Sequence, residues 1–247
     1  MRFLFFIQGE GRGHQTQALA LHGILTRAGH EVVAAVVGTT DGPGVDARGI
    51  PTLLREGLPV PMTEVPSPAL IYSRKTKALA VWETIRKNFV QIPAYWQAAK
   101  TVHGLIEKAR PDVLVNFYEV ACGAYHWLYH PNIPTVSIAH QYLMLHPEFR
   151  LPSTRWVHRT LVNQVTRLAG LGTTRRLALS FYEFSDDEPR RIFVTPPLLR
   201  AEVLNLTDPS DRPGPSQPEK GGNPVGSQGS PLSRRGAGAV RRVGEVQ

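Results

Sequence analysis

The sequence predicts a Rossmann-like, doubly wound α/β domain on a parallel sheet, followed by a disordered tail. Three observations carry this. Strand-like and helix-like segments alternate along most of the 247 residues. The clear strands are continuously apolar, as in FLFFIQ and EVVAAVV, which marks strands covered on both faces. The first strand also runs through a glycine-rich turn into a helix, the way a ligand-binding α/β unit opens.

Each element follows in order. Phe3–Gln8 reads as a buried strand. Thr16–Ala28 carries Leu19, Leu21, Ile24 and Leu25 on one helical face, and Gly29 stops it. Glu31–Val37 is a second buried strand, and Ile50–Leu54 is read as a third. Pro66 and Pro68 make Thr63–Tyr72 a loop or an edge strand. Lys77 to Ala109 reads as helix, interrupted near Pro93. Val113–Phe117 is strand, Gly123–Tyr129 helix, Thr135–Ala139 strand and Trp156–Leu171 helix. Leu177–Phe181 and Arg191–Thr195 are the last strands, before Pro196-Pro197. No repeat is visible. Beyond Asp208 the chain holds no aromatic residue, no isoleucine and a single leucine, Leu232. Such a segment buries too little apolar surface to offset its chain entropy, so 206–247 is expected to be disordered.

Composition narrows the function. Hydrophobic residues make up 42% and charged residues 19%, which suits a globular domain. The lone cysteine, Cys122, sits among small apolar residues and reads as core, and a cytoplasmic, reducing setting is expected. The apolar run after Met1-Arg2 is too short for a secretory h-region, and no run is long enough for a transmembrane span. The net charge of +8 is spread out, with no basic block interleaved with aromatics, so nucleic-acid binding is not expected.

The turn Gly9-Glu10-Gly11-Arg12-Gly13-His14 is the chemical centre of the sequence. Its glycines allow a tight turn and close approach to a ligand, and the following helix presents free N–H groups. A dinucleotide fingerprint would need glycine where His14 stands and an acidic residue about 20 residues on; both are missing. A Walker loop is excluded, because no Gly-Lys-Ser/Thr follows. A histidine at this place can exchange a proton near neutral pH. His14 is therefore the first catalytic candidate, the alternative being a residue that merely packs on the loop. Asn116 and Glu119 follow a strand and are expected on the same rim. Glu119 then orients His14, accepts an acceptor hydroxyl, or is a solvated loop acid. His126 and His130 lack the glutamate and third ligand of a zinc helix, so no metal is expected.

The segment GEGRGHQTQALALHGILTRAGHEVV resembles the opening of GT-B glycosyltransferases of the MurG-like, family 28 type. RPDVLVNFYEVACGAYHW, IPTVSIAHQYLML and IFVTPPLLRAEVL resemble later segments of that family in the same order, so the likeness covers about 1–205. The resemblance implies that 1–205 is the acceptor-side domain, with His14 and Glu119 catalytic. It places Gly9, Gly11, Arg12, Gly13, Asn116, His140 and Gln141 against substrate. His140-Gln141 departs from the family's H-E-Q by register and by the missing glutamate. The implied partners are a sugar acceptor, lipid-linked in MurG-like enzymes, and a nucleotide-sugar donor, with no cofactor. Aromatic and basic residues at Trp82, Phe89, Tyr95, Trp96, Arg86 and Lys87 are read as core or as a surface for lipid headgroups. In the family a second domain holds the donor. Here a Pro/Gly/Ser/Arg-rich tail stands in its place, so a truncated or frameshifted, inactive transferase is expected. The alternatives are a binding module that pairs with a separate donor chain, or a nucleotide-dependent oxidoreductase.

Overall fold

The computed structural model describes residues 1–39, 49–68, 80–149 and 156–199. The expectation for 206–247 lies outside the described residues. All described elements belong to one compact unit, Met1–Thr207.

Seven strands form a single sheet in the order β3-β2-β1-β4-β5-β6-β7. They are β1 Arg2–Gln8, β2 Glu31–Thr39, β3 Met62–Pro66, β4 Val113–Phe117, β5 Thr135–Ile138, β6 Arg175–Leu179 and β7 Ile192–Thr195. Every pairing is parallel. The winding reverses at β1, which lies between β2 and β4. This reversal point is where doubly wound sheets open a crevice at the carboxyl ends of their strands.

Period-two alternation divides the apolar strands between two cores. Leu4 and Phe6 of β1 join Ala34, Val36 and Leu114 on one face. Phe5 and Ile7 join Ala35, Val37, Val115 and Phe117 on the other. Each fully buried Leu or Phe contributes about 1.5–3 kcal/mol. Helix α1, Arg12–Arg27, packs Ala18, Leu19, Leu21 and Leu25 on the second core. Helices α4, Ile92–Ala109, and α5, Val120–Tyr129, cover the first with Ala98, Val102, Ile106, Cys122 and Tyr125. Helix α6, Trp156–Ala169, leads down to β6.

One reading needs correction. Ile50–Leu54 is not a strand: Thr52–Gly57 forms the short helix α2, with Pro51 as its N-cap at φ −55°. Leu54 and Leu58 are four apart, so a helical turn buries both in the same core, which an extended chain would not do. The interruption expected near Pro93 falls at Gln91. Helix α3, Val81–Val90, ends there, and Pro93 sits in the first turn of α4, where its missing N–H costs nothing. Within Thr63–Tyr72, only the start is described, and Met62–Pro66 is the edge strand that the prolines permit.

Two glycines let β1 and β2 approach the crevice closely. Gly9 N–H donates to the Gly38 carbonyl at 2.8 Å, and a Cβ on Gly9 would lie 2.5 Å from that oxygen. A Cβ on Gly38 would overlap the Glu119 carboxylate. Gly38→Ala is therefore expected to destabilise the fold by about 2 kcal/mol or more, the cost of overpacking a buried site. Urea denaturation checks this; a variant as stable as the parent would show that Glu119 does not sit against β2.

Candidate functional site

Four loops converge at the carboxyl end of the sheet. The β1–α1 turn brings Gly9 to His14, the β4–α5 turn brings Tyr118 and Glu119, and a short 3-10 helix after β5, His140–Leu145, brings His140 and Gln141. The chain after β3 adds Ser67.

Gly11 sits at φ +82° as the N-cap of α1 and provides no side-chain cap. The helix starts with no acidic residue in its first turn and no side-chain cap. Gly11, Arg12 and Gly13 are exposed. Gln15 donates from Nε2 to the Gly9 carbonyl at 2.8 Å, and Thr16 from Oγ1 to the Gly13 carbonyl at 2.9 Å. These two bonds fix the turn from within the helix.

His14 is 6% exposed. Its ring lies between two others: Tyr118 at 5.5 Å and 10° between planes, and His140 at 6.2 Å and 7°. His14 Nε2 is 3.1 Å from Gln141 Nε2, while His14 Nδ1 and Gln141 Oε1 are buried with no partner. Burial, and then the neighbouring His140, lower the His14 pKa to about 4. Burial lowers His140 too, although His140 is exposed to solvent. Both imidazoles are thus neutral at pH 7, the form that can take up a proton.

Asn116 and Glu119 are fully buried, so they frame the rim rather than line it. Asn116 donates from Nδ2 to the Ala169 carbonyl at 2.7 Å and accepts from Glu119 N–H at 2.8 Å. Glu119 is the N-cap of α5. Its Oε1 accepts from Ala121 N–H at 3.0 Å and from Ser67 Oγ at 2.7 Å, and Oε2 has no partner. It is not a solvated loop acid. Burial raises its pKa to about 7, against the lowering effect of the bonds from Ala121, Ser67 and Val120, and Glu10 adds to the rise.

Tyr118, Ser67 and Gly38 were missed in the sequence. Tyr118 is left-handed at φ +61°, uncommon for an aromatic residue, and its hydroxyl is 2.9 Å from Thr166 Oγ1. The only sequence signal was its place between Asn116 and Glu119. Ser67 stood in a Pro-Ser-Pro stretch that read as loop.

As a whole, the site has two neutral, stacked imidazoles, an exposed glycine turn and a buried carboxylate behind it. It can hold a hydroxyl near a proton acceptor.

Solved structures show limited likeness. MurG of Acinetobacter baumannii is 15% identical with a TM-score of 0.39, covering 75% of this chain and 43% of that one. Phytolacca americana UGT2, complexed with UDP-2-fluoro-glucose and pterostilbene, is 16% identical with a TM-score of 0.48, covering 82% and 55%. The calicheamicin glycosyltransferase CalG4 is 16% identical with a TM-score of 0.44, covering 80% and 53%. The chain spans about half the length of these structures. Comparison with curated proteins gives no match. A family model described as glycosyl transferase family 1 matches residues 1–212, and the chain belongs to that family.

Proposed function

We propose that the domain is the acceptor-side half of a glycosyl-transfer site and that His14 is its base. The observation that supports this is the stack of Tyr118, His14 and His140 at the reversal point of the sheet, with His14 held neutral. In the reaction, the acceptor hydroxyl gives its proton to His14 as its oxygen attacks the anomeric carbon. The bond from that carbon to the nucleoside diphosphate breaks, and the electron pair leaves with the diphosphate. Attack from the face opposite the leaving group inverts the anomeric centre. The Gly11 to His14 N–H groups face the diphosphate or the acceptor. We assign donor binding to a second domain, either continuous with this half or on a separate chain.

The Gln141 amide decides which nitrogen of His14 is basic. The Gln141 amide N–H donates to His14 Nε2, so Nε2 carries the lone pair and the imidazole proton sits on Nδ1. Gln141 is then a positioning residue. His140 supports a second reading, because it is exposed where His14 is not. In that reading His140 meets the substrate and His14 supports it from behind.

The exposed face of α3 and early α4 suits a lipid-linked acceptor. Trp82 is 83% exposed and Phe89 69%, and Ile92 and Trp96 continue the stripe, beside exposed Arg86. No described helix is long and apolar enough to cross a membrane.

Three outcomes are expected. The purified chain releases no UDP from UDP-glucose or UDP-N-acetylglucosamine, whereas hydroxyl acceptors from a phenolic and polyprenyl-phosphate panel perturb the His14 and His140 ring resonances. UDP release by the chain alone, or a panel that leaves both rings untouched, would contradict the half-site reading. Trp82→Ser with Phe89→Ser should lower co-sedimentation with phosphatidylglycerol vesicles at least fivefold without a change in Tm; unchanged sedimentation removes the lipid face.

The third concerns pH. His14 has a folded value near 4 against an ordinary 6.5, so the unfolded chain holds the extra proton between them. Its contribution is present above 6.5 and lost as pH falls toward 4. Glu119 has a folded value near 7 against an ordinary 4.5, so the folded chain holds the extra proton there. Its contribution is present below 4.5 and lost as pH rises through 7. Each shift amounts to about 3 kcal/mol, with opposite sign. Relative to the parent, Glu119→Gln should gain stability as pH rises from 4.5 to 7, and His14→Gln as pH falls from 6.5 to 4. Denaturation midpoints across pH check this; parallel profiles would refute it.

A further inference from the structure

A second polar site lies at the opposite end of the sheet. There, at the foot of α6 and the starts of β6 and β7, is a cleft of about 440 Å³ lined by Arg167, Arg176, Arg190 and Arg191, with Gly172 and Thr173. No carboxylate is among its lining residues. Asp187, next to it, is bonded to Arg190 Nη1 at 2.7 Å. Among the described residues, three guanidinium charges are therefore left without a counter-charge in the cleft.

The cleft is built around Arg176. Its Nη1 donates to the Arg190 carbonyl at 2.7 Å and its Nη2 to the Gly170 carbonyl at 2.8 Å, which ties the end of α6 to the start of β7. Gly170 permits this, since a Cβ there would lie 2.8 Å from Arg176 Nε. Nε itself is buried with no partner. Burial, and after it the repulsion of Arg191, lower the Arg176 pKa below the ordinary guanidinium value, against Tyr142. Arg167 and Arg191 are exposed, and their side chains have no partner among the described residues. The wall is thus fixed at Arg176 and adjustable at Arg167 and Arg191.

Guanidinium groups match phosphate oxygens in charge and in planar geometry, and a cleft of this size holds a small ligand. We propose that this arginine cleft binds a phosphate-bearing anion, at a place separate from the His14 site. The strands are parallel, so His14 lies at their carboxyl ends and the cleft at the amino ends of β6 and β7. The anion is a free phosphorylated small molecule or a phospholipid headgroup.

The test is isothermal titration of the full chain with inorganic pyrophosphate, and sedimentation with phosphatidylglycerol vesicles. The parent is compared with Arg167→Ala/Arg191→Ala and with Arg27→Ala, an exposed arginine on α1. Circular dichroism confirms folding, and neither exposed residue holds the core. Pyrophosphate binding that the double variant weakens at least tenfold, and Arg27→Ala does not, supports a free ligand. Vesicle retention that only the double variant loses supports a headgroup. The vesicle comparison is made in the Trp82→Ser/Phe89→Ser background, and binding of neither probe, or binding of both that the arginine double variant retains, overturns the proposal. Neither readout depends on sugar transfer, so the result is independent of the proposed catalytic role of His14.

Discussion

The rim of the crevice depends on one buried amide. Asn116 bonds the end of α6 through the Ala169 carbonyl and the start of α5 through Glu119 N–H. These two bonds hold the β4–α5 turn tight enough to place Tyr118 at φ +61°. Tyr118 in that conformation stacks on His14, and Glu119 is pressed against Gly38 of β2. Without the amide, the left-handed tyrosine would relax toward an ordinary conformation and His14 would lose one face of its stack. Asn116, expected against substrate, is thus the residue that holds the turn carrying Tyr118 and Glu119. An unpaired end of such a buried amide costs about 1–3 kcal/mol, so both bonds are needed for the turn to be stable.

Burial then sets the chemistry. The same desolvation lowers a histidine and raises a carboxylic acid, because it disfavours whichever form is charged. His14 and Glu119 are consequently both pushed toward neutrality, from opposite sides. Near pH 7 His14 is therefore neutral and Glu119 is about half ionised, with exposed Arg12 and partly exposed Glu10 at the mouth of the crevice.

The fold was legible because a parallel sheet covered on both faces needs long apolar strands, and FLFFIQ and EVVAAVV can do little else. The failure at Ile50–Leu54 has the same root. A short apolar run has no period of its own, and Pro51 chose the helix by fixing φ at an N-cap. His14, the glycine turn, His140 and Gln141 were legible from local pattern and family likeness. The direct contact between Gln141 and His14 was not, since 127 residues separate them. Nor could the sequence show that Glu119 is buried: that follows from Gly38 on another strand having no side chain. The arginine cleft escaped for a similar reason. Arg167, Arg176 and Arg191 are dispersed along the chain, and only the descent of α6 onto the starts of β6 and β7 gathers them.

This gathering also explains why two polar sites coexist on one small sheet. Parallel strands present all their carboxyl ends to one edge and all their amino ends to the other. Loops at the first edge connect strand to helix, so they carry helix N-termini, glycine turns and groups that meet ligands. Loops at the second connect helix to strand, and helix C-termini there attract cations. Arg176 answers that field by capping Gly170 beyond α6. Arg167 and Arg191 are not used for such bonds, and they exceed what one helix end requires. A structural role accounts for Arg176; the other two leave positive charge facing an open cleft, and an anion is the species that would neutralise it.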